Sequence, residues 1–576
     1  MSYHAPIDDI KFCLDHILDS SVLYSQEFDQ ELRDAVLEAS ADIANDILAP
    51  INHLGDKHGT QLIDGKVMIR PEFMAAIKAF SDGGWQGLTA NPDHGGQGLP
   101  RLMASASFEL FQAANMAFSL MPTLNQAAIE AIETHGSEAQ KQLYLPKLIT
   151  GEWIGTMNLT EPQAGSDLAA LTLKAEPQND GSYKLTGQKI FITWGDHQGA
   201  KNIIHLVLGR LPEAPLGSKG ISLFICSKFD PITGAPNTIN VAGLEHKMGI
   251  HASPTCVMAY DGAKAELIGP INGGLAAMFT MMNAARLAVG VQGVGIAERA
   301  YQQALTYAKD RIQGPTLLNK ASKSSIYDHP DVRLMIGLMA AKIMAGRAIC
   351  LATALAGDHA KLSDGEVKAR LKRREDFLVP IAKAWGTDMG VEVTSIALQV
   401  HGGMGFIEET GAAQHYRDAR IAPIYEGTNG IQALDLVGRK LGRDGTAAFE
   451  LKSDLESYMV NNSLSECLKA EWQILSKALE AFETATNWIL GRKIEAPADV
   501  ATAASAYLKL CGDLLGGFYL LKGAESALVQ LKETSPKPDY LNRQIGLARL
   551  YGAHVLSHAP TLLQAITMGS EILTKI

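Results

Sequence analysis

Met157-Asn158-Leu159-Thr160-Glu161-Pro162-Gln163-Ala164-Gly165-Ser166-Asp167 is where the chain changes character, and that change decides the fold. Upstream, to about residue 150, apolar residues recur at helical spacing, as in Phe28 to Leu48 and Phe108 to Leu120. Downstream, to about Gly269, short apolar and β-branched runs alternate with Gly, Pro, Asn and Asp. The segment itself offers a hydroxyl at Thr160, a bend at Pro162, and backbone N–H groups beside a second hydroxyl at Gly165-Ser166. Such a turn can present donors to a flat heteroaromatic ring and to phosphates. A polar turn that merely enters a β-domain would look the same, and both readings stand at this point.

Outward from there, Tyr183 to Thr193 has strand-like β-branched and aromatic content, while Ile203 to Leu208 and Ile221 to Ile225 suit strands buried on both faces. Helical texture returns after Gly274 and lasts to about Leu441, interrupted by the polar stretch Ile312 to Asp328, expected as a mobile loop. Beyond Gly445 a further helical region follows. In it Leu464, Leu468, Trp472, Leu475, Leu479, Phe482 and Ile489 form one apolar stripe. The predicted order is helical, β, helical, helical. A chain of 576 residues needs several domains of roughly 100–200 residues each, which agrees.

Apolar content of 47%, charged content of 20% and a net charge of −11 describe an ordinary globular protein and speak against a nucleic-acid surface. Residues 446–576 hold 12 Lys+Arg against 14 Asp+Glu, a net of −2, which also disfavours a DNA-binding tail. The six cysteines are too scattered for a zinc knuckle or a redox pair, so buried reduced thiols in a cytoplasmic protein are expected. The N-terminus is acidic and lacks the apolar core of a signal peptide. No run of about 18 uncharged apolar residues occurs, so no integral membrane segment is expected. The histidines show no ligand spacing, which gives metal catalysis no support, and neither a GxSxG elbow nor a Walker loop is present.

Gln399-Val400-His401-Gly402-Gly403-Met404-Gly405-Phe406 would let a backbone approach a pyrophosphate closely, or would end a helix with glycine caps. Gly290-Val291-Gln292-Gly293-Val294-Gly295 lacks GxGxxG spacing and sits in helical context, so close helix packing is expected of it. In Tyr416-Arg417-Asp418-Ala419-Arg420-Ile421-Ala422-Pro423-Ile424-Tyr425-Glu426-Gly427-Thr428-Asn429-Gly430-Ile431-Gln432 a glutamate precedes a glycine turn and an apolar-periodic run. A lone glutamate before glycine is ordinarily a solvated loop residue. At a helix start in an apolar pocket, desolvation would raise its pKa and make it a competent general base.

Taken together, LTEPQAGSD, IFITWG, QVHGGMGF and YRDARIAPIYEGTNGIQ resemble the acyl-CoA dehydrogenase family, in its order and at about its separations, over residues 35–445. The resemblance implies a mostly α fold with a central β-domain: an extension over 1–34, a helical N-terminal domain over 35–152, a barrel-like β-domain over 153–270, a four-helix bundle over 271–445, and an extra helical domain over 446–576. It implies non-covalent FAD and the conversion of an acyl-CoA thioester to a trans-2-enoyl-CoA, with Glu426 taking the α-proton and flavin N5 the β-hydride. It assigns Met157, Leu159, Thr160, Ser166, Phe191, Thr193 and Thr428 to the flavin. Gln399, Gly402 and Gly403 go to the FAD of a neighbouring subunit, and Arg311 to its diphosphate, although Gln313-Gly314 follows where the family has Phe-Gly. Ser166, Arg286, Tyr425 and Gly427 fall to the substrate. Some members carry the base immediately before that arginine; here the position is Ala285, which leaves Glu426. Implied partners are the acyl-CoA and an electron-transfer flavoprotein, in a homodimer or homotetramer engaged in fatty-acid β-oxidation chemistry.

The N-terminal Tyr3-His4-Ala5-Pro6 with Phe12, and the region after Gly445, resemble a longer bacterial subgroup that includes 3-methylthiopropanoyl-CoA dehydrogenases of sulfur metabolism. A dedicated enzyme of that kind is the alternative to a general acyl-CoA dehydrogenase. A DNA-associated flavoprotein, a silent scaffold and a nitroalkane-type oxidase (which would carry Asp in place of Glu426) fit less well.

Overall fold

Asp29 starts the first long helix, α1 (Gln30–Asp42), by accepting from the Leu32 N–H at 2.8 Å. A π-helical stretch, Ile43–Leu48, extends it, so the run beginning near Phe28 is one bent rod. The run from Phe108 to Leu120 is instead two helices. Asn115 leaves the helical region and caps the second by accepting from the Phe118 N–H, separating α2 (Arg101–Ala114) from α3 (Met116–His135). A small hairpin, Gln61–Ile63 with Lys66–Met68, is the one departure from helix in this part that the sequence did not announce. The computed structural model describes residues 3–317, 323–462, 464–533 and 536–575.

The β-domain has strands β1 (Trp153–Asn158), β2 (Lys174–Pro177), β3 (Tyr183–Thr193), β4 (Asn202–Gly209), β5 (Ser222–Ser227), β6 (Ile239–Leu244) and β7 (Thr255–Ile268). They order as β1-β4-β5-β7-β3-β2, with β6 also on β7; among the described strand pairs β1 and β4 run parallel and the others antiparallel. Arg210, just past β4, closes the sheet on itself: its carbonyl accepts from the Ala175 N–H at 2.8 Å and its N–H donates to the Leu173 carbonyl at 2.9 Å. β4 and β5 are buried along their whole length, as near-continuous apolar runs require, whereas β3 alternates.

The bundle comprises α4 (Gly274–Asp310), α5 (Pro330–Lys361) and α6 (Gly365–His401), with α2 packed on α4, and then the short α7 (Ala412–Ala419) and α8 (Asn429–Asp435). The glycine run in α4 serves packing, as expected. A Cβ on Gly290 would come within 2.6 Å of the Ala382 carbonyl, and one on Gly293 within 2.3 Å of the Gly386 carbonyl. α4 and α5 are long and apolar enough to cross a membrane, which a strict count of uncharged residues missed. Their apolar windows are 65% and 72% buried against neighbouring elements, so this apolarity belongs to the bundle core. In the loop between them, expected to be mobile over Ile312 to Asp328, Ile312 pairs with Ser325, while 318–322 lie outside the described residues.

The C-terminal part includes α9 (Lys469–Arg492), α10 (Pro497–Lys532) and α11 (Pro538–His554), with α10 and α11 against α5. Trp472, Leu475, Leu479, Phe482 and Ile489 are buried on one face of α9. Trp385 of α6 donates to Asp513 of α10 at 2.8 Å across the seam. The N-terminal extension joins both parts: Asp9 accepts from Tyr540 at 2.9 Å and Arg543 at 3.0 Å, and lies 3.8 Å from Arg347. Five cysteines are buried free thiols. Cys467 is exposed, a departure explained by its place in the short turn before α9.

Candidate active site

The last turn of α7 is held from two sides before the chain reaches Glu426. Arg417 pairs with Asp56 at 2.5 Å and Glu408 at 2.8 Å, and the Asp418 carboxylate accepts from the Ile250 N–H at 2.5 Å. The loop then turns on itself through Tyr425 N–H to the Ile421 carbonyl and Asn429 N–H to the Pro423 carbonyl. Glu426 and Gly427 both adopt left-handed backbone, with φ of 55° and 82°. For a non-glycine residue that conformation costs on the order of 1–3 kcal/mol and survives only where the surroundings over-determine it. The surroundings do so. Gln432 donates to the carbonyls of Glu426 (3.3 Å) and Gly427 (3.2 Å), Lys383 donates to the Gly427 carbonyl (2.9 Å), and Thr428 caps α8 by accepting from the Ile431 N–H. Gly427 favours glycine because its φ of 82° is one that L side chains rarely adopt, and a Cβ there would also displace the Gln432 amide, 2.8 Å away.

Burial pushes the Glu426 carboxyl above the ordinary range, opposed by Arg286 and Lys383. Arg286 is itself buried, lowered by desolvation and engaged by Asp435 at 3.1 Å. Tyr425 donates its phenol to Gln292, and burial raises its pKa. Three buried polar atoms in this neighbourhood, Arg286 Nε, Gln292 Nε2 and Gln432 Oε1, have no hydrogen-bond partner among the described residues. The N–H groups of Glu426 and Gly427 likewise donate to none of those residues. Unmet buried groups cost about 1–3 kcal/mol each, so donors and acceptors gathered around one half-buried carboxyl mark a place for a polar ligand.

The strands supply a second group. Met157 is buried in β1, Leu159 and Thr160 are half-buried just after it, and Ser166 is exposed in the following turn. Thr160 accepts from the Ile190 N–H through its carbonyl, which brings the two strand ends together. A register shift between Lys189 and Ile192 forces Phe191 to φ 60° and turns its ring outward, 57% exposed, beside the half-buried Thr193. Among the described residues, the side-chain hydroxyls of Thr160, Ser166 and Thr193 make no hydrogen bond. An outward aromatic ring beside idle hydroxyls suits a flat heteroaromatic ligand such as a flavin ring. Beneath it, Glu161 and Lys189 form a buried pair at 2.9 Å. Glu161 also accepts from the N–H groups of Thr172 and Leu173, and Lys189 donates to the Leu159 carbonyl.

Gln399, Gly402 and Gly403 lie exposed at the C-terminal end of α6, where Gly402 (φ 58°) is also the helix cap, and Arg311 lies exposed at the end of α4. No hydrogen bond or ion pair among the described residues joins this third group to the strands or to Glu426.

The structure thus gathers Arg286, Tyr425, Glu426, Gly427 and Thr428 into one place. It adds residues that the sequence reading missed: Gln292, Lys383, Asn429, Gln432 and Asp435 around the carboxyl, and Glu161 and Lys189 under the strands. Lys383 did leave a signal, as a lone cation within Val379-Pro380-Ile381-Ala382-Lys383-Ala384-Trp385. The others are polar residues of common kind whose pairing only the fold reveals.

Four family models match in succession: the N-terminal domain of acyl-CoA dehydrogenase over 33–152, its middle domain over 156–263, its C-terminal domain over 272–441, and an acetyl-CoA dehydrogenase C-terminal-like domain over 448–576. A 3-methylmercaptopropionyl-CoA dehydrogenase of Ruegeria pomeroyi is 42% identical, and the match covers 100% of both chains. Among solved structures, butyryl-CoA dehydrogenase of Megasphaera elsdenii is 26% identical with a TM-score of 0.61, over 71% of this chain and 98% of its own. An acyl-CoA dehydrogenase of Bacillus anthracis complexed with FAD is 22% identical with a TM-score of 0.76, over 100% of this chain and 94% of its own.

Proposed function

The chain belongs to the acyl-CoA dehydrogenase family of FAD-dependent oxidoreductases, and on that premise we propose that Glu426 is the base that takes the α-proton of the acyl thioester. The observation that carries this reading is the half-buried, left-handed Glu426 among unmet buried donors. Its pKa is raised, so the carboxyl is a stronger base than a solvated one, while Arg286 and Lys383 keep the ionised form accessible. The free N–H of Glu426 faces no internal acceptor and is offered to the thioester carbonyl, whose negative charge grows as the proton leaves. Bound FAD supplies the two-electron acceptor that takes up the β-hydrogen as hydride. Thr160, Ser166, Phe191 and Thr193, with the backbone of Met157 and Leu159, would hold its ring, and Thr428 would assist. Tyr425 and Gly427 shape the wall on which the acyl chain lies, and Arg286 and Ser166 guide its thioester arm.

The proposed substrate is a short acyl-CoA, 3-(methylthio)propanoyl-CoA above all. Full-length identity of 42% to the Ruegeria enzyme supports that choice, and a straight short chain such as butyryl-CoA is the second reading. The proposed electron acceptor is an electron-transfer flavoprotein, and the proposed compartment is the cytoplasm. We further assign the exposed Met404, Phe406 and Ile407, beside Gly402 and Gly403, to a contact with a second copy whose FAD they would reach together with Gln399 and Arg311. The domain limits 35–152, 153–270, 271–445 and 446–576 are proposed on the same footing.

Anaerobic addition of each acyl-CoA to the holoenzyme, with the flavin spectrum recorded, tests the base. Bleaching is expected in the wild type. In Glu426→Gln it should slow by at least about 10²-fold with FAD still bound. Normal bleaching in that variant would refute the assignment. The kcat/KM ratio between the methylthio and straight-chain substrates decides the substrate reading.

A further inference from the structure

Lys383 is fully buried on α6, where a lysine is rare unless something holds it. Its Nζ donates to the Gly427 carbonyl and to Asn429 Oδ1, both at 2.9 Å. The Asn429 amide is in turn held by the Ala384 carbonyl (3.1 Å), Thr387 Oγ1 (3.0 Å) and Asp388 Oδ1 (2.7 Å), so one turn of α6 grips the loop directly after Glu426. Without Lys383, the Gly427 carbonyl would keep only Gln432 at 3.2 Å. The charged groups facing Lys383 are Glu426 from the loop, Asp388 on its own helix and Arg286 from α4. Of the two cations beside Glu426, Arg286 is committed to Asp435, while Lys383 has no carboxylate within ion-pair distance among the described residues.

We propose that Lys383 is a positioning residue for the proton transfer: its ammonium, shared between the Gly427 carbonyl and Asn429, locks the left-handed backbone of Glu426 and supplies the cation that favours the ionised carboxyl. The proposal rests on Glu426 being the base. Burial lowers the Lys383 amine to about 7, opposed by Glu426 and Asp388, so the amine pays a desolvation cost that a bystander in this core would have no reason to bear. The sign of its effect is set. The rate rises with pH as Glu426 loses its proton, and the Lys383 cation, present below about pH 7, shifts that rise to lower pH.

The test is stopped-flow flavin reduction by butyryl-CoA in the anaerobic holoenzyme across pH, for the wild type, Lys383→Arg, Lys383→Gln, Lys383→Met and Glu426→Gln, with FAD content measured for each. The two neutral Lys383 variants should keep FAD and slow reduction by about 10–100-fold, as expected when a reacting group is misplaced. Their acid limb should move about one pH unit upward, the size of effect that loss of an adjacent opposite charge produces. Lys383→Arg should keep the limb near its wild-type place. An unmoved limb in both neutral variants, with Glu426→Gln inactive, overturns the role of Lys383 alone. Wild-type reduction by Glu426→Gln overturns the base assignment, and this proposal falls with it.

Discussion

A carboxyl whose folded pKa is raised weakens the fold wherever it is ionised. For Glu426 the cost is absent below the ordinary carboxylate range, where folded and unfolded forms both carry the proton. It grows as pH rises through the raised value and is complete above it. Glu426→Gln should therefore melt higher than the wild type at pH well above neutral, and the gain should vanish below the ordinary carboxylate range. Thermal melts of the two holoenzymes at both pH values check this; an equal gain at both would mean that the charge is not what destabilises the site. Glu426 was legible from sequence because its neighbours Tyr425, Gly427 and Thr428 form a chemically telling string. Lys383, 43 residues earlier by the numbering, left only the signal of a lone cation in an apolar run, because its role depends on which loop lies across its helix. Residue type alone cannot tell a buried clamp from a surface lysine.

Among the elements, two junctions govern the site. In the strand pair, Glu161 and Lys189 lock β1's exit to the bulge that presents Phe191 and Thr193. Removing one partner of a buried pair leaves the other unpaired, at a cost of roughly 3–5 kcal/mol. Glu161→Ala should thus purify with sharply reduced FAD and a lower melting point, while Glu161→Ala with Lys189→Met should recover part of both. Absorbance-based FAD stoichiometry is the readout, and an unimpaired single variant would refute this positioning role. In the bundle, α4 and α6 meet backbone to backbone at Gly293 and Gly386. Gly293→Val should cost at least about 1–3 kcal/mol by overpacking, read as a lower thermal midpoint. The sequence foretold the packing role of that glycine run, since a misspaced motif in a helix has little else to do. It did not foretell the bulge: Lys189 to Thr193 has the β-branched and aromatic content of any strand, and only pairing with β7 exposes the extra residue.

For the whole molecule, the N-terminal extension acts as a clasp. Asp9 joins Tyr540 and Arg543 of the C-terminal helices to Arg347 of the bundle, which also pairs with Glu109 (2.6 Å) and Glu298 (3.0 Å). Arginine partners hold the Asp9 carboxyl below its ordinary range against burial. Its stabilisation is therefore present above that range and is lost as pH falls through the depressed value. Asp9→Asn should speed proteolysis of residues 497–554 at neutral pH, with a loss of on the order of 1–3 kcal/mol, and the gap from wild type should close in strong acid. Equal proteolysis of both proteins at neutral pH would show that the clasp contributes nothing. By itself the sequence determined the order of helical and β regions, the family, the FAD chemistry expected of it and the identity of the candidate base. Those follow from local periodicity and from short strings whose chemistry is carried by neighbours in the chain. Only the tertiary structure decided which distant groups surround that candidate base, how β2 closes on the end of β4, and that the N-terminal extension is tied to the C-terminal helices. Each of these depends on contacts between residues far apart in sequence, where burial and charge pairing are set by the packing of whole elements.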